Sequence, residues 1–146
     1  MSQLKRMGRF TLLEPLGVGG SGEVHLAYTK LPNGVVQFFA VKILNAEQAQ
    51  NPRAIKMLKK EASLANILKH NSIVSIDECG QEGNDFYIAM SFVNGVALSK
   101  YMHFCHINKK QIKIAYALYV VKSVASGLEY ARLCKDPASG QALNIV

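Results

Sequence analysis

The sequence predicts an α+β fold, with an antiparallel sheet early in the chain and long helices after it. Three runs rich in β-forming residues, at 10–16, 24–29 and 35–44, are separated by glycine-rich and Pro-Asn-Gly turn signals. The stretches 52–69 and 109–133 instead carry apolar residues at steps of three and four, the period of an amphipathic helix. Because the first two runs form a hairpin with no helix between them, the sequence disfavours a dinucleotide-binding parallel sheet.

The turn between the first two runs, Gly-Val-Gly-Gly-Ser-Gly at 17–22, is the first feature with chemical meaning. A glycine-rich turn can bring its backbone N–H groups against the phosphates of a nucleotide, since no Cβ blocks the approach. Three glycines at this spacing arise by chance in roughly one chain in twenty of this length. The turn by itself is therefore also compatible with an ordinary hairpin.

One charged residue, Lys42, interrupts the third run. A lysine on the solvent face of a strand is the common alternative. If this strand pairs with the hairpin, however, Lys42 lies beneath the glycine turn, where a triphosphate and an acidic side chain would offset its desolvation. Glu61 on the predicted helix 52–69 is the candidate acid, because no cation stands four residues before or after it to pair with it.

These residues together resemble the N-terminal half of a protein kinase domain of the bacterial Ser/Thr type. The segment 17–24, Lys42 in the context Ala-Val-Lys, and Glu61 occur in the order of that family's glycine loop, strand lysine and helix glutamate. Later segments resemble the entry to the fourth strand, the fifth strand and the hinge of the family; they are 70–74, 86–90 and 91–95.

The resemblance implies a protein-kinase-like small lobe, with a five-stranded antiparallel sheet and one long helix, followed by the first helices of the large lobe. It divides the chain into an N-terminal extension at 1–9, a nucleotide-binding lobe at 10–91, a hinge at 92–97 and the start of the large lobe at 98–146.

The resemblance also implies an ATP site. Lys42 would contact the α- and β-phosphates and pair with Glu61, and the backbone of Ser91 and Val93 would bind the adenine edge. The implied nucleotide-binding residues are Leu16, Gly17, Val18, Gly19, Gly20, Ser21, Gly22, Val24, Ala40, Lys42, Glu61, Val74, Met90, Ser91 and Val93. Ala97 departs from the family pattern, because many relatives carry a polar ribose contact near there. Ser21 should make the loop easier to lift.

Neither His-Arg-Asp nor Asp-Phe-Gly occurs in the 146 residues. Phosphoryl transfer depends on the aspartate of His-Arg-Asp to position the hydroxyl, and on a downstream aspartate and asparagine to hold Mg²⁺. We therefore expect no catalytic residue and no metal ligand in this chain, with the Mg²⁺ ligands lying beyond its end, and no phosphotransfer by the 146 residues alone.

Three functions stay open. The first is the ATP-binding portion of a Ser/Thr protein kinase that phosphorylates protein hydroxyls in its complete form. The second is a pseudokinase-like nucleotide-binding or regulatory interaction module. A small-molecule phosphotransferase of related fold fits less well, because the glycine loop is so close to the protein-kinase form.

The predicted helix 109–133 has a wide apolar stripe, including Tyr116, Tyr119, Val124 and Leu128. Leaving five or six such side chains unburied forgoes on the order of 10 kcal/mol of burial free energy. We therefore expect the isolated chain to self-associate through 109–133, or this region to be disordered.

The net charge is +7, from 17 Lys and Arg against 10 Asp and Glu. The basic stretches 53–60 and 109–122 lack the interleaved aromatic residues of a nucleic-acid surface, so we expect solvated helix faces and no nucleic-acid partner. Cys79, Cys105 and Cys134 are odd in number and widely spaced, which indicates a reducing compartment. No signal peptide or membrane-length apolar run is present, so we expect a cytoplasmic protein; a membrane segment beyond this chain stays open.

Overall fold

A computed structural model describes residues 4–45, 49–53, 55–56, 63, 67–135 and 140–143. The chain forms two compact units. The first comprises Met1–Lys69 and Val74–Phe92, and the second comprises His70–Ile73 and Val93–Val146. The first unit contains the sheet and the second contains two long helices. The finer predicted division into a hinge at 92–97 and a lobe from 98 stays a prediction.

The first unit is built on a six-stranded antiparallel sheet with strand order β1-β2-β3-β4-β6-β5. The strands are β1 Arg6–Met7, β2 Phe10–Gly19, β3 Gly22–Lys30, β4 Val36–Leu44, β5 Ile76–Glu82 and β6 Asp85–Ser91. The α+β class is confirmed, but the predicted count of five strands was one too low. The additional strand is β1, which lies in the predicted N-terminal extension. Two residues are too few to give a periodic signal in the sequence.

The main apolar core lies against one face of this sheet. Alternate residues of β4, namely Phe39, Val41 and Ile43, are buried there. The Phe10 ring packs edge-on against the rings of Phe39 and Tyr87, with centroids 5.0 and 6.2 Å apart. Since successive side chains of a strand point to opposite faces, the residues between them in β4 face away from this core.

Tyr87 fits into a slot that two glycines leave open. A Cβ atom on Gly8 or Gly80 would lie only 2.2 or 2.5 Å from the Tyr87 hydroxyl oxygen. The hydroxyl donates a hydrogen bond to Glu78 Oε1 at 2.5 Å. Burial, followed by the hydrogen bond and charge of Glu78, raises the pKa of Tyr87 well above its ordinary value.

The second unit contains α1, Leu98–Ile107, and α2, Ile114–Leu133. The predicted helix 109–133 therefore begins five residues later than expected. The reason is a C-cap on α1: Lys109 adopts the left-handed φ of 50°, its N–H donates to His106 O at 3.2 Å, and the N–H of Lys110 donates to Cys105 O at 2.8 Å. This pattern is a Schellman motif, which ends one helix before the next can begin.

The segment 70–73 packs on α2 through His70. Its Nδ1 accepts the N–H of Ser72 at 3.1 Å, so the neutral ring carries its proton on Nε2, which lies 3.1 Å from Ser126 Oγ. The ring stacks on Tyr130 at a centroid distance of 5.1 Å. Gly127 is buried beneath this segment.

The predicted helix 52–69 falls largely outside the described residues. Those of its residues that are described as helical are 52, 53, 55, 56, 63 and 67. Within the described ranges, no helix is both long and apolar enough to cross a membrane.

Candidate functional site

The glycine-rich segment forms the tight turn between β2 and β3, as predicted from the flanking runs. Gly19 and Gly22 are paired residues of the two strands, and Gly20 and Ser21 connect them. Asn45, directly after β4, holds the tip of the turn. Its Nδ2 donates to Gly20 O at 2.9 Å and its backbone N–H donates to Ser21 O at 3.4 Å. The sequence predicted that Ser21 makes the loop easier to lift. It did not predict these two hydrogen bonds from Asn45, which restrain the tip.

The glycines of the turn have two different roles. Gly22 has φ +143°, and a Cβ there would lie 1.9 Å from Ile43 O, so the fold itself requires glycine at this position. At Gly17 and Gly20 the described part of the chain places no atom beyond the adjacent residues within 4 Å of the Cβ position. The packing of the first unit does not require glycine there, and the backbone is open to a ligand.

The register of β3, β4 and β6 places Lys42 close to this turn. Lys42 pairs with Val24, which is two residues from the turn glycine Gly22, and with Ile88 on the other side. Lys42 is half-buried and lies on the sheet face opposite the main core. A lysine on the face away from the core also fits the common alternative of a solvated lysine, so its position beside the turn is the informative observation.

Val24, Ala40 and Met90, three of the residues that the resemblance assigned to the adenine pocket, share the face of Lys42. Ala40 pairs with Leu26 and with Met90, and all three are half-buried. Met90 packs against a second cluster on this face, formed around Leu44 and Ile88. An apolar floor therefore lies beside the half-buried Lys42, an arrangement suited to a flat base joined to an anionic tail.

Ser91 ends β6, and its backbone N–H is already used. It donates to Ser75 O at 3.0 Å, and the hydroxyl oxygens of the two serines lie 2.6 Å apart. An adenine hydrogen bond at Ser91 would therefore have to use its carbonyl oxygen as the acceptor. Local sequence patterns do not predict this contact, because Ser75 and Ser91 are 16 positions apart.

The remaining predicted site residues are more exposed. Leu16 is the extra residue of a β-bulge in β2 and is 43% exposed. Val18 on the turn side of β2 and Val74 just before β5 are also exposed. Val93 is exposed and belongs to the second unit. Glu61 lies outside the described residues, so its pairing with Lys42 stays a prediction.

Sequence reasoning missed two residues of this site. Asn45 holds the turn, and Ile88 flanks Lys42 on the floor. An Asn at the end of a strand carries no motif of its own, and Ile88 was assigned only to a strand. Their roles follow from strand pairing, which local patterns do not specify.

A family model described as "Protein kinase domain" matches residues 10–134. The chain belongs to the protein kinase family. It is 29% identical over 143 residues to the tyrosine-protein kinase MasK of Myxococcus xanthus, an alignment that covers 98% of this chain and 22% of MasK. It is 36% identical over 95 residues to the serine/threonine-protein kinase PrkC of Bacillus subtilis, covering 65% of this chain and 14% of PrkC.

The similarity to PknB of Mycolicibacterium smegmatis, a serine/threonine-protein kinase, is 38% identity over 100 residues, covering 65% of this chain and 15% of PknB. The fold is similar to the crystal structure of the PknI kinase domain of Mycobacterium tuberculosis, with a TM-score of 0.69 at 23% identity. That alignment covers 90% of this chain and 51% of the PknI chain. This protein kinase chain thus spans about half of a solved kinase domain and less than a quarter of the curated relatives.

The predicted kinase small lobe and its following helices are confirmed as the architecture of this chain. Protein kinases use ATP and Mg²⁺ to phosphorylate proteins. In the described part of this chain, no group of three or more His, Cys, Asp or Glu side chains is arranged to hold a metal ion. That the Mg²⁺ ligands lie beyond the end of this chain stays a prediction.

Proposed function

We infer that this chain is the ATP-binding portion of a protein kinase that phosphorylates Ser and Thr hydroxyls in its complete form. The observation that carries this proposal is the arrangement of the turn. Its open glycines lie at the end of the β2–β3 hairpin, and Asn45 ties the tip to the strand that presents Lys42. The Ser/Thr preference is supported by the names of PrkC and PknB, whereas MasK is named a tyrosine kinase.

Each part of the site has a distinct role in this proposal. The backbone N–H groups of Gly19, Gly20 and Ser21 bind phosphate oxygens, because a turn of this kind presents them without a covering Cβ. Lys42 supplies a cation to the α- and β-phosphates. Val24, Ala40 and Met90 contact the base. The proposed partner of Lys42 is Glu61, which would fix the direction of the ammonium group.

Titration of the chain with ATP tests this assignment. We expect Lys42→Ala to weaken ATP binding by roughly tenfold or more, since hydrogen bonds to charged groups contribute about 1.5–3 kcal/mol. Lys100→Ala is the matched control, because Lys100 is exposed on α1. Equal affinities of wild type and a folded Lys42→Ala would refute the site.

The catalytic part of the proposal is tested separately. We expect the 146-residue chain to bind ATP without transferring its phosphate, and a longer protein that includes His-Arg-Asp and Asp-Phe-Gly segments to phosphorylate protein hydroxyls. Lys42-dependent transfer of radiolabelled phosphate by the 146 residues alone would contradict the first statement. A longer protein that binds ATP but transfers nothing would instead support the pseudokinase-like alternative.

A second copy of the chain is a further proposed partner. α2 exposes apolar side chains along most of its length, including Tyr119 at 70% and Val121 at 65%. Exposed apolar surface of this extent favours association. We place the contact on α2, as the sequence pattern predicted.

A further inference from the structure

A second pocket lies at the other end of the β2–β3 hairpin from the glycine turn. Three strands contribute its lining, and the pocket holds about 380 Å³. Its lining residues are Arg6, Arg9, Thr11, Tyr28, Thr29 and Lys30. At about 3.3 Å per residue, the eight steps of β3 from Gly22 to Lys30 separate the pocket from the turn by about 26 Å. The pocket is therefore distinct from the candidate nucleotide site.

Every residue of this lining can donate hydrogen bonds from its side chain. Three are cationic, at positions 6, 9 and 30, and Thr11 and Tyr28 carry hydroxyl groups. Thr29 is buried, and its side chain lies on the sheet face opposite to that of Tyr28. No lining residue is acidic. Strand register organises the group: Arg6 pairs with Thr11, and Thr11 pairs with Tyr28, so these three side chains share one face.

Arg9 is held in place by its neighbours. Its Nε donates to Glu78 Oε2 at 3.0 Å, and its Nη2 is bonded to Asp77 Oδ2. The guanidinium lies 4.9 Å from the centre of the Phe10 ring. These contacts use two of the five N–H groups of the side chain, which leaves donors in a fixed direction. Because the two carboxylates offset the charge of Arg9, the excess positive charge of the pocket comes from Arg6 and Lys30.

We propose that this pocket binds a phosphate monoester dianion. A carboxylate is planar, carries one charge and is satisfied by a single guanidinium fork. A phosphate monoester carries up to two charges and three terminal oxygens, which can accept at once from Arg6 on β1, Arg9 in the β1–β2 connection and Lys30 on β3. Clusters of basic side chains with hydroxyl donors recognise phosphorylated groups in this way. The phosphate belongs either to a free small molecule or to a phosphorylated protein side chain.

NMR titration of the full chain distinguishes these sources. The probes are inorganic phosphate, a peptide with one phosphoserine, the same peptide without phosphate, and acetate. We expect saturable shifts at the amides of Arg6, Thr11, Thr29 and Lys30 with both phosphate probes, outside the turn at 19–22. Tighter binding of the phosphopeptide than of inorganic phosphate assigns a protein-borne group; equal binding assigns a free one.

Charge-removing variants test the lining. Arg6→Gln and Lys30→Gln should each weaken phosphopeptide binding about tenfold, since each removes a charged hydrogen-bond donor. Lys122→Gln removes the same charge from the exposed surface of α2 and should leave binding unchanged. Circular dichroism confirms that each variant is folded.

Three results would overturn the proposal. They are equal binding of the phosphorylated and unphosphorylated peptides, shifts that acetate reproduces at equal concentration, and equal loss of affinity in all three variants. A response only to anionic lipid vesicles would likewise overturn it and indicate a membrane contact. None of these readouts depends on ATP binding at the glycine turn. The proposed phosphate site and the proposed ATP site are therefore tested independently.

Discussion

The glycines of one turn differ in how strictly the fold requires them. Gly22 has a left-handed φ and lies against a backbone carbonyl, whereas Gly20 has neither constraint. A backbone atom cannot move aside as a flexible side chain can. The fold therefore requires glycine at position 22 but not at position 20, where the proposed ligand is the reason for glycine.

We expect Gly22→Ala to destabilise the first unit by about 2 kcal/mol or more, because alanine at this φ is strained and its Cβ would collide with Ile43 O. Gly20→Ala is the matched control and should leave the melting temperature nearly unchanged while weakening ATP binding. Thermal unfolding and ATP titration measure the two effects. If Gly22→Ala is as stable as Gly20→Ala, a Cβ at position 22 does not collide with Ile43 O.

Tyr87 makes stability depend on alkaline pH. Its pKa is raised in the folded chain, by burial first and then by Glu78. Above the unfolded pKa of about 10, the unfolded state loses the phenol proton while the folded state keeps it, so the free energy of unfolding falls as pH rises. Below that pH the contribution is fully present.

Tyr87→Phe removes this titration together with the hydrogen bond to Glu78. We expect the variant to be less stable than wild type at pH 7 and the difference to shrink above pH 10. Urea unfolding at pH 7, 9.5 and 10.5 measures this difference. A constant difference across the three pH values would exclude a raised Tyr87 pKa as its cause.

At the scale of elements, the boundary between α1 and α2 is set by backbone conformation and not by periodicity. The apolar steps of three and four begin at Ile112, inside the connection, and the sequence therefore predicted a helix from 109. The left-handed residue Lys109 interrupts it. A non-glycine residue in this conformation costs about 1 kcal/mol.

Replacing Lys109 by glycine should therefore stabilise the second unit by about 0.5–1 kcal/mol. Lys110→Gly is the control, because Lys110 lacks the positive φ and glycine there adds only flexibility. Chemical denaturation followed by the helical signal compares the two variants. Equal effects of both substitutions would rule out the left-handed cap.

At the scale of the whole molecule, the two units differ in how much apolar surface they leave exposed. The sheet buries many of its large apolar residues in two clusters, whereas most large apolar residues of α1 and α2 are exposed. Only Cys105 in α1, and Gly127 and Ala131 in α2, are buried. Burying the exposed apolar surface of α1 and α2 in an interface would favour association by about 25 cal/mol for each Å² buried.

We expect the chain to self-associate with increasing concentration, as measured by light scattering. Replacing Tyr119 and Val124 by lysine should shift it to monomers, because both side chains are exposed on α2. Leu4→Lys is the control, since it changes an exposed apolar residue of the first unit. Monomers at all concentrations, with strong amide protection across α2, would contradict the expectation.

The sequence by itself determined the local parts of this protein. Runs of β-forming residues and turn signals predicted β2, β3, β4 and the glycine turn, because their information lies within a few neighbouring positions. The order of the turn, Lys42 and Glu61 identified the family. The family can be identified from sequence because its motif consists of particular residues in a given order and spacing.

Only the tertiary structure decided which residues meet across the chain. It brought Asn45 to the glycine turn, Ser75 to Ser91, and Arg6, Arg9 and Lys30 to one pocket. It also added the two-residue strand β1 and ended α1 at a left-handed lysine. The physical reason is that hydrogen bonds and atomic contacts between distant segments depend on register and backbone conformation, and neither leaves a periodic signal in the sequence.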